Sequence, residues 1–166
     1  MVTESSPRRY EGGVRAEGKR FAIIVSRFNQ TVTDKLLEGA LQCFRKNGVK
    51  LDSDVEIFYC PGAFELPQVA SLITQKKRYD AVVCLGAVIR GETPHFDYIC
   101  EECARGIGEV SRTSKVPVLF GVLTTDTFEQ AMERAGGTIG NKGYDAALGA
   151  ISMANLYSII NTLEST

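Results

Sequence analysis

The sequence contains no tryptophan and a single histidine in 166 residues. One histidine, with no Cys/His cluster at ligand spacing, argues against a catalytic metal centre. Charge of one sign is missing as well: 19 Lys+Arg stand against 20 Asp+Glu, for a formal net charge of -1 and a pI near 5.9. Without a basic field nothing is available to hold a nucleic-acid backbone. The longest run of apolar residues and glycine, Ala81 to Ile89, is about half of the ~18–20 residues that a membrane span requires. Residues 1–13 are polar and glycine-containing, with no apolar stretch of the kind a secretory leader carries.

Several chemical signatures are absent too. No G-x-G-x-x-G follows an apolar run, and neither G-x-x-x-x-G-K-[ST] nor G-x-S-x-G occurs, so dinucleotide binding, P-loop hydrolysis and α/β-hydrolase chemistry have no support. The apolar run ending Leu85-Gly86 is not followed by an aspartate, which speaks against a phospho-acceptor domain. Arg27-Phe28-Asn29 is not the Ser/Thr/Gly-rich phosphate loop of a flavodoxin. Five cysteines are an odd count, and their scatter suits reduced thiols in a cytosol-like compartment better than a disulfide framework. Cys100 and Cys103 spell C-x-x-C inside a helical pattern rather than after a strand, so the spacing reads as helix-borne thiols. Asn29-Gln30-Thr31 is formally a glycosylation sequon, without meaning in a chain that is not secreted.

What is present is the composition of one globular domain, 44% hydrophobic and 23% charged. Phe21 to Val25, Val55 to Tyr59, Ala81 to Leu85 and Val116 to Val122 are short apolar, mostly β-branched runs, each predicting a strand buried on both faces. Helical spacing is predicted over Asp34–Asn47, Glu65–Lys77, Pro94–Thr113, Phe128–Ala135 and Lys142–Leu163. Thr31 or Thr33 would cap the first helix, Gly48 would close it, and Thr127 with Gln130 spells a capping box before the fourth. The order βαβαβαβαα calls for a small doubly wound α/β domain, a three-layer sandwich around a four-stranded parallel sheet. That domain would span residues 20–166. Residues 1–19 would form an arm docking on a neighbouring subunit. The last helix is apolar around most of its circumference, so it is either central to the fold or packed on another copy.

In such a sheet the ligand lies beyond the carboxyl ends of the strands, near the point where strand order reverses. That rule gathers Ser26 to Gln30, Cys60 to Glu65, Gly86 to His95, and Thr124 to Asp126 at one edge. Phe28 and Phe64 would either line a slot for a flat polar ring or turn back into the core. Thr93-Pro94 reads as an N-cap with proline at the first helical position, so free N–H groups and the positive dipole end face the site and attract an anion. His95, in that first turn, is either a structural hydrogen-bonder or a neutral proton shuttle. Arg134, at the end of its helix before Gly136, is either a dipole partner or an anion clamp, in the latter case acting on another subunit.

Ser26-Arg27-Phe28-Asn29, Pro61-Gly62-Ala63-Phe64-Glu65, Gly86-Ala87-Val88-Ile89-Arg90-Gly91, His95-Phe96-Asp97-Tyr98, Phe120-Gly121-Val122-Leu123-Thr124, Glu133-Arg134-Ala135-Gly136 and Gly140-Asn141-Lys142-Gly143 together resemble the 6,7-dimethyl-8-ribityllumazine synthase family of riboflavin biosynthesis. The resemblance runs from about Tyr10 to Tyr157. It implies a flavodoxin-like fold and a transferase without cofactor or metal, condensing 5-amino-6-ribitylaminouracil with 3,4-dihydroxy-2-butanone 4-phosphate between adjacent subunits of a pentamer. By motif it assigns Phe28, Asn29, Ala63, Phe64, Glu65, Ala87, Val88 and Ile89 to the pyrimidine and its ribityl chain. Glu92 and Thr93 would hold the phosphate, with Arg134 pairing to it and Asp145 orienting Arg134. His95 would move protons, and Phe120 and Lys142 would complete the pocket, one or both from a neighbour.

Two features depart from the family pattern. Glu92 sets a carboxylate beside an anion site, and Thr138 stands where many shell-forming members carry lysine, although the connection 136–141 has their short length. Free pentamer and sixty-subunit shell both stay open on this reading. The resemblance also implies a cytoplasmic enzyme, or a plastid one had a transit peptide preceded Met1, with possible association to riboflavin synthase. Alternative readings of the same resemblance are an archaeal-type riboflavin synthase and a non-catalytic shell protein that binds flavin or lumazine.

Overall fold

A computed structural model describes residues 6–163; residues 1–5 of the expected arm, and 164–166, lie outside the described residues. Strands β1 (Phe21–Ser26), β2 (Val55–Cys60), β3 (Ala81–Ile89) and β4 (Val118–Thr125) form one parallel sheet in the order β2-β1-β3-β4. All six residues of β1 are buried, as two-sided covering by helices requires. Phe21, Ile23 and Val25 face one core with α1 (Gln30–Lys46) and α6 (Lys142–Thr162). Ala22 and Ile24 face the other, with α3 (Leu66–Thr74) and α4 (His95–Thr113). The expected three-layer α/β architecture is therefore the one observed.

The apolar circumference of α6 is explained by its central place. Ala147, Ala150, Ile151 and Ala154 are buried against the sheet and α1. Small residues permit this approach: a Cβ added at Gly143 would lie 1.9 Å from the Leu36 carbonyl oxygen. Along another side of α6 runs the segment before β1. Ser152 Oγ donates to the Gly12 carbonyl at 3.1 Å, and Asn155 Nδ2 donates to the Gly13 and Arg15 carbonyls at 2.6 and 2.9 Å. Residues 12–19 thus lie on the last helix of their own chain, while residues 6–11 are mostly exposed.

Several boundaries differ from the sequence expectation, each for a local reason. Helix α1 starts at Gln30, not Asp34, because Asn29 takes the left-handed conformation (φ 59°) and its carbonyl accepts the N–H groups of Val32 and Thr33. Neither Thr31 nor Thr33 is a cap; the Thr33 hydroxyl donates back to the Gln30 carbonyl. Gly48 does close the helix at φ 90°, with its N–H on Arg45 and that of Val49 on Phe44, a Schellman arrangement. The second long helix divides into a 3-10 turn, Ala63–Glu65, followed by α3, which stops at Thr74.

Strand β3 continues to Ile89 because β4 carries it onward after β1 has ended: pairing with β1 stops at Leu85, whereas pairing with β4 reaches Ile89↔Thr125. Residues 86–89 are therefore strand rather than loop. Strand β4 itself covers 118–125, since Pro117 has no N–H for the ladder. Two elements were not expected: the short helix α2 (Leu51–Asp54) and a hairpin of β5 (Ala135–Gly137) and β6 (Gly140–Asn141). The hairpin follows helix α5 (Phe128–Arg134). At the start of α5 the Thr127 hydroxyl accepts the Gln130 N–H at 3.1 Å, but Gln130 Oε1 returns to the N–H of Asp126, not to that of Thr127.

Candidate functional site

Strand order reverses between β1 and β3, and a cleft of about 740 Å³ opens there, at the carboxyl ends of the strands. Of the sequence-predicted site residues, Phe28, Asn29, Ala63, Phe64, Glu65, Ala87, Val88, Ile89, Thr93 and His95 line it. Phe28 is 71% exposed and Phe64 54%, so neither turns into the core. The structure resolves that ambiguity in favour of an open aromatic slot.

The premature end of β1 shapes the floor. Asn29 Nδ2 donates to the Ala87 carbonyl at 2.8 Å, capping the place where the next strand would pair. This bond also commits the amide of the formal sequon to the fold. Val82 and Arg90 send their N–H groups to the β4 side, so by alternation the main-chain groups of Ile89 point away from β4, into the cleft. A flat heterocycle between Phe28 and Phe64 would meet a strand edge with donors and acceptors still to pair. Glu65 Oε2 accepts the Gly62 N–H at 3.0 Å. That contact fixes the carboxylate at the slot and leaves its other oxygen as an acceptor for hydroxyl groups.

On the opposite wall α4 begins at His95, with Pro94 at the cap, one residue later than the Thr93 cap the sequence suggests. Thr93 is exposed at the cleft, where its hydroxyl is accessible to a ligand. His95 is exposed, and no hydrogen bond within the chain engages its ring among the described residues. Sequence reasoning missed Phe96 and Ile99 as lining residues; Ile99 stands one helical turn from His95, an i, i+4 spacing that could have revealed it.

The cleft offers an anion no cationic side chain among the described residues. Its ionisable lining residues, among the described residues, are Glu65 and His95, with no lysine or arginine. Arg90 is near in sequence but is engaged elsewhere: Nε bonds Asp126 at 2.8 Å and Nη1 bonds Asp97 at 3.2 Å. The hydrogen bond to Asp126, followed by that to Asp97, raises the Arg90 pKa further. Thr124 to Asp126, expected at the cleft, do not line it; Thr125, through its carbonyl, and Asp126 instead brace this arginine.

Phe120, Arg134, Lys142 and Glu92 do not line the cleft of their own chain. Phe120 is 46% exposed on β4, on the face where Val118 and Val122 join the α3/α4 core. Arg134 turns to the Gln130 carbonyl at 3.0 Å, closing its own helix, and Asp145 pairs with Lys142 at 3.0 Å instead of orienting Arg134.

The cysteines are held as thiols. Burial pushes Cys60 up to about 11 and Cys103 up to about 12, and it raises Cys84 and Cys100 as well. A C-x-x-C pair with both pKa values raised supplies no thiolate for redox chemistry near neutral pH.

Comparison with known proteins identifies the family. Residues 18–158 match the sequence profile of the family described as 6,7-dimethyl-8-ribityllumazine synthase. A curated protein of Desulfatibacillum aliphaticivorans named 6,7-dimethyl-8-ribityllumazine synthase is 55% identical over 150 residues, covering 90% of this chain and 96% of that protein. On both counts the chain belongs to the 6,7-dimethyl-8-ribityllumazine synthase family.

Proposed function

We propose that the cleft is one half of a site completed by an adjacent subunit, and that the family's condensation runs in it. The chain is an enzyme of riboflavin biosynthesis, a transferase joining 5-amino-6-ribitylaminouracil to 3,4-dihydroxy-2-butanone 4-phosphate with release of phosphate and water. In this reading the pyrimidine stacks on Phe28 and bonds the strand edge at Ala87–Ile89. Ala63 and Phe64 hold the ring, and Glu65 receives ribityl hydroxyls. The phosphate rests on the N–H groups and the Thr93 hydroxyl at the start of α4, where the helix dipole favours an anion. His95, beside it, moves protons as the amine adds to the ketone, phosphate leaves and the ring closes. Both reactants are intrinsically reactive, so positioning supplies much of the acceleration.

The observation that carries the two-subunit reading is the missing cation. A phosphate dianion enters a cleft without lysine or arginine, while Arg134, Lys142 and the exposed Phe120 stand elsewhere on the chain. In a ring of five, each cleft would receive Phe120, Arg134 and Lys142 from the next subunit. Sedimentation or electron microscopy separates that pentamer from a sixty-subunit shell, and co-purification tests association with riboflavin synthase. Five unpaired thiols, four of them buried, favour the cytoplasm as location.

Supplying both substrates and following lumazine fluorescence with phosphate release tests the function. His95→Ala is expected to slow turnover about a hundredfold or less, at the low end for a general acid–base group because the reactants need little activation. Arg134→Ala is expected to raise the KM for the butanone phosphate roughly thirtyfold, the equivalent of about 2 kcal/mol for a charge-assisted contact. Mixed assemblies of the two variants regain activity if the residues act across an interface, because some sites then pair an intact His95 with an intact Arg134. No gain on mixing overturns the two-subunit site, and riboflavin formed from lumazine alone overturns the reaction.

A further inference from the structure

Outside the cleft, one side chain gathers more partners from different elements than any other polar group on this edge. Arg90, at the end of β3, bonds Asp126 at the β4–α5 corner and Asp97 in the first turn of α4. Its guanidinium carbon lies 4.3 Å from the centre of the Phe96 ring, which is part of the cleft wall. Its N–H also bonds the Thr125 carbonyl at 2.9 Å. Between this anchor and α4 run Gly91, Glu92, Thr93 and Pro94, all exposed. A Cβ built on Gly91 meets nothing within 4 Å, so packing alone does not hold the loop.

We propose that Arg90 is a positioning residue for the phosphate loop: by tying Asp97, Asp126 and Phe96 together, it sets residues 91–94 and the cleft wall in the geometry that receives the anion. This rests on the placement of the butanone phosphate proposed above. The three side chains of the ion pairs are 45%, 58% and 66% exposed, and exposed pairs add little to stability. Their consequence is therefore local. Both carboxylates engage the guanidinium from outside the cleft, so Arg90 acts through the loop and not as a ligand of the phosphate.

The sign of one substitution separates these roles. Removing the Asp126 charge should strengthen anion binding if simple electrostatics ruled, and should do so again if a liberated Arg90 could reach the phosphate. The staple requires the opposite. In the assembled full-length enzyme, Asp126→Asn and Arg90→Gln are each expected to raise the KM for the butanone phosphate, and the inhibition constant of inorganic phosphate, about tenfold through loss of loop geometry. The pyrimidine KM and the thermal midpoint stay near their wild-type values. The double variant is no worse than either single one, as for partners in a single contact.

Unchanged or tighter phosphate inhibition in Asp126→Asn overturns the proposal, as do additive losses in the double variant or a parallel fall in thermal stability. If the unmodified enzyme is active but indifferent to phosphate, the placement of the anion has failed instead, and the staple falls with it.

Discussion

The two faces of the sheet are covered by helices in different ways. On one face α6 and α1 approach so closely that Gly143 has no room for a side chain, and Phe21 stacks on Phe44 with ring centres 4.4 Å apart. On the other, α4 spans nineteen residues yet buries only Cys103 and Ile107, and Tyr98, Phe64 and Phe120 stand exposed nearby. The first face is closed within the chain and holds the fold. The second has a smaller buried core and borders the cleft at the strand ends.

Adding a methyl group to each face breaks or sustains that contrast most directly. Gly143→Ala places a Cβ against main-chain atoms of Leu36, at 1.9 Å from the oxygen and 2.6 Å from the carbon, and backbone cannot rotate away as a side chain would. A loss of about 3 kcal/mol is expected from such overpacking. At this chain length it lowers the thermal midpoint by roughly 10 °C. Gly91→Ala on the open side meets nothing within 4 Å and should leave the midpoint unmoved. Equal shifts in the two melting curves would remove the distinction between a closed and an open face.

The same contrast decides how much could be read from the sequence. The central strands were legible because burial on both sides demands continuous apolar runs, and Phe21 to Val25 supplies one; β2, expected to be buried on both faces as well, is an edge strand that leaves Ile57 and Tyr59 exposed. The closed face was half legible: the apolar circumference of α6 showed that it was enclosed, but not by what, since alanine and glycine do not announce their partner. The cleft was legible in part, because ligands of such sheets lie beyond the carboxyl ends of the strands; residues 86–89 proved to be strand, and 124–126 lie away from the cleft. The inward or outward turn of Phe28 was not, since an aromatic residue next to a strand suits both places. Nor was the role of Arg90: its partners lie 7 and 36 residues along the chain, and no periodicity links them. The failed cap at Thr31 and Thr33 has a similar origin, because Asn29 turns the chain by means of a bond to Ala87, 58 residues away.

A second comparison sets two phenylalanines against each other. Phe21 is fully buried and Phe28, seven positions on, is 71% exposed. Phe21→Ala should cost about 3–5 kcal/mol of stability, as large-to-small changes in a core do. Phe28→Ala should leave unfolding within about 0.5 kcal/mol of wild type. Its effect belongs to the ligand: loss of the stacking face should weaken pyrimidine binding about tenfold, the equivalent of 1.4 kcal/mol, measured by titration of the enzyme with the pyrimidine substrate. If Phe28→Ala melts early and still binds, the exposed ring belongs to the fold and the slot is not where the pyrimidine lies.

The smallest expected effect concerns Glu92, in the loop where charge and backbone oppose each other. A carboxylate in the loop that receives a phosphate is unfavourable if it faces the anion and nearly neutral if it faces water. The structure leaves Glu92 exposed and outside the cleft lining, so under the proposed placement of the phosphate its side chain faces water. Glu92→Ala keeps that backbone and removes one like charge screened by solvent, so the KM for the butanone phosphate should stay the same or fall by about twofold, within the few tenths of a kcal/mol that exposed charges contribute. Raising the ionic strength should erase the gain, because a screened repulsion is all that was removed. A marked loss of phosphate affinity would place the Glu92 side chain inside the site and make the loop a reader of charge as well as of shape.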